Sequence, residues 1–404
     1  MRIQRIAAGG DGVGRLADGR AVFIPRTAPG DLVTPAGLRA HKRFARARIG
    51  VLEERSPDRV EPRCPHYVRD ECGGCQLQHV ASPAQREARR GFVGDALRRL
   101  ARLDVPDPPL VEAEREFDYR TKITLAASAD GRHLGLHRFD RADQVFDLDW
   151  CHITVPELME LWRALRAFRP LFPAGLETLV LRQGREGGRH ALFRTAADEP
   201  WPDAGRLHAE LMRRNVPATL WWQSAEGAQR VVAGADEAYP ATVFEQVHPA
   251  MGDRVRAHAV AGLGTVAGRH VWDLYAGIGE TSAVLATAGA SVESVESDRR
   301  AVAEAERRGP AARRHAGRVE DVLNELRPPE LVITNPPRTG MDGRVAAALA
   351  RLAPARIVYV SCDPATLARD LGRLPGFRVS DVRAFDLFPQ TAHVETVVVL
   401  ERAS

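Results

Sequence analysis

The chain has 404 residues, 44% of them hydrophobic and 27% charged, with a formal net charge of +4. That length exceeds one ordinary hydrophobic core and predicts two or three domains of a globular, water-soluble protein. No apolar run reaches the length of a membrane span, and the first ten residues lack the apolar centre of a signal peptide. A cytoplasmic protein with no membrane partner, acting as a monomer, is therefore expected.

Residues 1–55 carry eleven Lys and Arg against five Asp and Glu, a local balance of +6 that leaves about −2 for the remainder. Short β-branched runs alternate there with turn formers such as G-G-D-G and A-P-G-D, a spacing that predicts a small β-barrel. A basic domain on a near-neutral body suits a polyanion, the bland alternative being an Arg-rich face that merely meets water. Ser56-Pro57 and Glu61-Pro62 mark a boundary.

Three cysteines follow in C-P-H-Y-V-R-D-E-C-G-G-C: Cys64, Cys72 and Cys75, with Cys151 far downstream. Cytoplasmic thiols stay reduced, so these four predict a metal site rather than disulfides. Structural zinc sites more often use two closely spaced pairs, so one pair with two distant single cysteines favours a [4Fe–4S] cluster, with zinc as the alternative. Residues 82–103 predict a helix with Phe92, Val93, Ala96, Leu97 and Leu100 on one face and arginines opposite. Residues 117–235 mix strand-like and helix-like pieces and predict an α+β middle domain spanning 56–240. Trp221 and Trp222 are expected in its core.

Within a domain expected over 241–404, residues 271–400 repeat a strand–turn–helix rhythm that predicts a parallel, doubly wound sheet. Its strands are expected at 271–275, 291–296, 331–335, 357–361 and 394–400. The first ends in D-L-Y-A-G-I-G-E, where Gly277 and Gly279 permit a tight turn; a G-x-G alone also marks a turn with no ligand. With Glu296 ending the next strand and Asn335-Pro336-Pro337 after a later one, the set favours S-adenosylmethionine over a dinucleotide. An N-P-P turn also occurs in enzymes that methylate amines. There an aromatic residue usually follows to stack on the substrate; here Arg338 does, which weakens that alternative.

The fifth cysteine, Cys362, follows the strand at 357–361, and Glu395 lies in the last strand. A lone cysteine is ordinarily a small buried hydrophobe, and Glu395 is ordinarily a partner for His393 or an arginine. One thiol, one carboxylate base and a methyl donor are, however, what methylation at carbon 5 of uracil requires.

Y-V-S-C-D-P-A-T-L-A-R-D-L and D-L-F-P-Q-T-A-H-V-E-T-V-V-V-L resemble the two signature segments of the RNA 5-methyluridine methyltransferases. Residues 1–54 resemble a TRAM domain, an oligonucleotide-binding barrel. The cysteine segment with Cys151 resembles the family's iron–sulfur site, and F-E-Q-V-H-P-A the segment before its first Rossmann-like strand. The resemblance implies a Rossmann-like S-adenosylmethionine-dependent methyltransferase domain behind an OB-like barrel (1–55) and the middle domain. It implies Cys362 as nucleophile, Glu395 as base, and Gln246, Tyr275, Glu296 and Asn335 in the S-adenosylmethionine pocket. The implied substrate is RNA, ribosomal in preference to transfer RNA. Three positions depart from the family pattern. Asn335 stands where Asp is usual, and Glu280 where a smaller or uncharged residue is common. Asp363 stands where Asn is usual, and a carboxylate there is expected to raise the thiol pKa. A non-catalytic RNA-binding descendant is the third alternative.

Overall fold

The computed structural model describes all residues except 228, 236–245, 310, 311 and 404. The expected domain boundary at 240/241 and the first two residues of F-E-Q-V-H-P-A lie outside the described residues.

Residues 5–54 form a five-stranded sheet in the order Arg5–Ile6, Gly12–Arg15, Ala21–Ile24, Phe44–Glu54, Leu32–Ala40. Its two edges meet through a single bridge, Arg2 with Leu32, backed by hydrogen bonds from Ile3 N to Asp31 O and Val33 N to Met1 O. The expected barrel is therefore a curled sheet closed at one place rather than a continuous ladder. Ile3, Val22, Ile24, Val33, Ala45 and Ala47 fill it.

The middle sheet has seven strands, beginning at one edge with Arg230–Ala233 and ending at the other with Arg141–Asp147. The helices Pro156–Arg166 and Ala204–Arg213 cover one face, burying Trp162, Leu165, Leu207 and Leu211 against Phe193 and Trp222. Trp221, the next residue of an alternating strand, necessarily points to the other face, where it packs with Val180 and Leu192.

The C-terminal sheet has eight strands in the order Ala312–Ala316, Ser291–Glu296, His270–Leu274, Leu331–Thr334, Arg356–Ser361, Glu395–Arg402, Phe377–Phe385, Leu110–Val111. The first five are parallel, whereas Glu395–Arg402 runs antiparallel to both its neighbours. The expectation of an all-parallel sheet is corrected there. That reversal brings the start of the last strand, Glu395, to the edge where the parallel strands end.

The helix expected over 82–103 spans Ser82–Arg99. Val93 and Leu97 share a core with Trp272, Tyr359 and Leu367 of the C-terminal sheet and its helices. Each such side chain buried contributes about 1.5–3 kcal/mol. Leu100, expected on the buried face, is exposed, while Arg89, expected on the polar face, is fully buried. With the edge strand Leu110–Val111, this stretch belongs to the C-terminal layer although it precedes the whole middle sheet in sequence.

Candidate active site

The parallel strands reverse their order between His270–Leu274 and Leu331–Thr334, and the crevice at the carboxyl ends beside such a reversal is where open α/β sheets bind ligands. A cavity of about 840 Å³ opens there, lined by Gln246, Tyr275, Gly277, Glu296, Asn335, Cys362 and Glu395 among others. Seven of the eight residues expected at the donor site and reaction centre thus face one space.

Each is placed by local chemistry. Glu296 ends its strand with Oε2 accepting from Gly277 N at 2.9 Å and Oε1 from Asp298 N at 2.8 Å, so its carboxylate is aimed before any ligand binds. Tyr275 sits in the left-handed region at φ +62°, a costly backbone for a non-glycine residue and common at functional turns. Gln246 packs across Gly252, where a Cβ would stand 2.8 Å from the glutamine Cβ. Gly279 is the residue that does not line the cavity. It begins the helix Glu280–Thr287 at φ +74°, and a Cβ there would meet the Ala305 Cβ at 2.9 Å. What the structure shows at Gly279 is this close approach to the helix that carries Ala305.

Cys362 follows a buried apolar strand and precedes the helix Pro364–Leu371. Burial pushes its thiol pKa up and the Glu395 charge adds to this, while Arg338 opposes both by charge and by a side-chain hydrogen bond to the thiol. Glu395 is 2% exposed, and burial pushes its carboxyl up to about 8 against the pull of Arg338. Asp363, expected to raise the thiol pKa, instead turns its Oδ1 onto Thr366 N at 2.8 Å and caps the following helix. Its carboxylate is occupied there, and the charges that move the thiol are those of Glu395 and Arg338. Glu280, a second departure, points away from the cavity into an ion cluster with Arg256 and with Arg185, the latter at 3.1 Å.

Arg338, weighed in the sequence only as the residue replacing an aromatic ring, lines the same cavity as Cys362 and Glu395 and acts on both by its charge. Its signal was its place beside N-P-P, where the absence of an aromatic ring drew attention away from the guanidinium. Arg120 was missed; it lines both the donor cavity and the cysteine cavity described next.

Cys64, Cys72, Cys75 and Cys151 surround a second cavity, of about 190 Å³, and none is in a disulfide. Burial raises the Cys72 thiol to about 12 and pushes Cys64 and Cys75 up too, with Cys151 adding to each. Among the described residues, no three His, Cys, Asp or Glu side chains stand in an arrangement that holds a metal ion. All four cysteines line the one cavity. The chain leaving Cys75 then donates Gln76 N and Leu77 N to Gln390 O, at 3.2 and 3.0 Å, in the loop that leads to Glu395.

A third space, a groove of about 930 Å³, runs between the N-terminal sheet, the cysteine loop and the C-terminal domain. Gly9, Gly73, Phe139, Arg141 and His393 line it, and so does Cys362. The thiol thus forms part of the wall of both the donor cavity and the groove. Among the described residues no helix is long and apolar enough to cross a membrane.

The model of the tRNA (uracil-5-)-methyltransferase family matches residues 281–403. An uncharacterised RNA methyltransferase of Gloeobacter violaceus is 32% identical over 99% of this chain and 96% of its own. The 23S rRNA (uracil(1939)-C(5))-methyltransferase RlmD of Halomonas elongata is 31% identical over 99% of this chain and 88% of its own. Among solved structures, the Pyrococcus abyssi tRNA (uracil-54, C5)-methyltransferase in complex with S-adenosyl-L-homocysteine has the same fold, with a TM-score of 0.74, 24% identity and 99% of each chain covered. With relatives above 30% identity spanning nearly its whole length, and a donor cavity at the sheet's switch point, the chain belongs to the RNA (uracil-5-)-methyltransferase family of S-adenosylmethionine-dependent enzymes.

Proposed function

We propose that this enzyme methylates carbon 5 of a uridine in ribosomal RNA through a transient bond between Cys362 and carbon 6 of the ring. The observation that carries this reading is the position of Cys362, which faces the donor cavity with Glu395 on one side and opens to the groove on the other. A uracil within a base stack is out of reach, so the target base is flipped from the groove toward the thiol. The Cys362 sulfur adds to carbon 6, and the electron pair displaced from the ring double bond is held as an enolate. S-adenosylmethionine, when bound, supplies the electrophilic methyl group that carbon 5 takes. Glu395, ionised, then removes the proton from carbon 5, and those electrons restore the ring double bond as the sulfur leaves. Arg338 favours the anionic forms of both Cys362 and Glu395, and so both reacting states.

Gln246, Tyr275, Gly277, Glu296 and Asn335 hold the donor, Glu296 being placed for its ribose hydroxyls. The four cysteines fit a [4Fe–4S] cluster: four thiols lining one mostly apolar cavity, spaced in sequence as one pair and two distant single ligands, are a donor set that such a cluster takes. When bound, the cluster supplies a structural tie, because the segment beyond Cys75 braces the loop before Glu395. Residues 1–55 act as a TRAM-like arm that holds phosphates. The preference for ribosomal RNA rests on the Halomonas elongata relative together with that arm and the cysteine set. A cytoplasmic monomer completes the reading.

The deciding experiment offers labelled S-adenosylmethionine with unmethylated 23S ribosomal RNA and, separately, transfer RNA transcripts. Incorporation at one uridine of the ribosomal RNA is expected, with 5-fluorouridine RNA trapped on the wild type and not on Cys362→Ala. Methylation confined to transfer RNA would overturn the substrate, and turnover by Cys362→Ala the mechanism.

A further inference from the structure

The helix that follows the thiol grips the loop that carries Arg338. Thr366 Oγ1 donates to Arg338 O at 3.0 Å, and an Arg369 guanidinium nitrogen donates to Thr339 O at 2.8 Å. Asp370 Oδ2 accepts from Met341 N at 2.8 Å. Gly340 closes the grip: at φ +80°, a Cβ there would lie 2.3–2.4 Å from atoms of Arg369, Thr366 and Asp370. Asp370 has no exposed surface, and its charge is distributed in two directions. Oδ2 also accepts from the Tyr359 hydroxyl at 2.8 Å, on the strand leading to Cys362. Oδ1 accepts from Arg369 at 2.8–2.9 Å and from Arg373 at 3.3 Å. A buried carboxylate with this many donors is costly to place and strongly directional once placed.

We propose that Asp370 is a positioning residue for the reaction. It joins the strand before Cys362, the helix after it and the 338–341 loop into one unit that holds Arg338 in the cavity that Cys362 also lines. The inference rests on the reading of Cys362 as the reacting sulfur. Burial opposes the thiol's ionisation; of the charged groups, Glu395 adds to that and Arg338 favours the thiolate. Asp363, on the same turn, is engaged by Thr366 N, and His393 faces the groove. Arg120, Glu296, Arg318, Glu320 and Asp342 also line the cavity, and none is among the causes that move the thiol. Loosening the 338–341 loop therefore weakens the hold of the cation that stabilises the thiolate.

The test is alkylation of Cys362 by iodoacetamide in the full-length protein, followed by peptide mass spectrometry as a function of pH. Asp370→Asn retains an acceptor for Met341 N and Tyr359 but turns an amide N–H₂ toward Arg369 and Arg373, releasing the Arg369 end of the grip. Its alkylation midpoint is expected to rise by roughly one pH unit, a tenfold loss of thiolate below the midpoint. Arg338→Ala is expected to shift it similarly, and the double variant no further than the larger single shift. A folded Asp370→Asn with an unmoved midpoint, or shifts that add in the double variant, would overturn the proposal. Should Asp370→Asn not fold, Thr366→Val decides: it removes only the hydroxyl tie to Arg338 O, and its midpoint must rise by a smaller amount. Because alkylation needs neither RNA nor donor, its result is separable from failure of the covalent mechanism, which the fluorinated RNA reads.

Discussion

Arg89 and Asp386 pair at 3.3 Å with almost no solvent reaching either side chain, joining the helix Ser82–Arg99 to the loop that precedes Glu395. Burial lowers the arginine pKa and raises the aspartate's, so desolvation outweighs the attraction on both sides. Among the described residues, the Arg89 Nη1 and Asp386 Oδ1 atoms find no hydrogen-bond partner, although Arg89 Nε donates to Thr391 O at 3.2 Å. Replacing either residue alone with alanine leaves a buried charge and is expected to cost about 3–5 kcal/mol in chemical unfolding. The double change Arg89→Met with Asp386→Leu is expected to be near neutral or stabilising. A double variant as unstable as the two singles combined would contradict this account.

Glu395→Gln keeps the size of the base and removes its proton affinity. Turnover is expected to fall roughly 10²–10⁴-fold, with methylated RNA accumulating covalently on the enzyme because the carbon 5 proton stays in place. Denaturing gels that resolve the RNA–protein adduct check this. Free methylated RNA released at the normal rate would assign the base elsewhere.

The same carboxyl makes stability and activity oppose each other along the pH axis. Its ordinary value of 4.5 is pushed to about 8 in the fold. A group that holds its proton more tightly when folded stabilises fully below about 4.5, progressively less above it, and not at all once pH has passed about 8. Asp273, raised to about 6, completes its own decline earlier. The melting temperature should therefore still be falling with pH between about 6 and about 8, and Glu395→Gln should flatten that stretch. Resolution of the adduct, which needs the ionised form, should accelerate over the same interval.

Arg39, Lys42 and Arg43 are exposed around the turn between Leu32–Ala40 and Phe44–Glu54. If they hold phosphates, the triple alanine variant should weaken RNA binding uniformly across sequences. It should also flatten the dependence of log K on log salt by roughly 0.7–0.9 for each phosphate no longer neutralised. Filter binding at several salt concentrations measures both, and an unchanged slope would place the phosphates away from this turn.

Strands buried on both faces were legible because burial writes them as apolar runs: the expected 357–361 is observed as Arg356–Ser361, and 271–275 as His270–Leu274. Ala312–Ala316, an edge strand reading A-R-R-H-A, carries no such run and passed unnoticed. Direction was also hidden, since an apolar strand looks the same parallel or antiparallel, and only the ladder turns Glu395 toward Cys362. Arg89 looked like a solvent-facing helix residue because the aspartate that compensates it is far away in sequence. The candidate site was legible where function rests on a residue type at a strand end, as with Cys362 and Glu296. It was illegible where function depends on which neighbour a long side chain reaches, as with Arg338 and Glu280.

A sulfur set in the partition between two chambers has a kinetic corollary. Should the donor fill the cavity and nucleic acid the groove, neither would have to leave before the other enters. Exchange of spent S-adenosylhomocysteine with the RNA still docked, and a random order of addition, are therefore the expected outcome of product-inhibition kinetics.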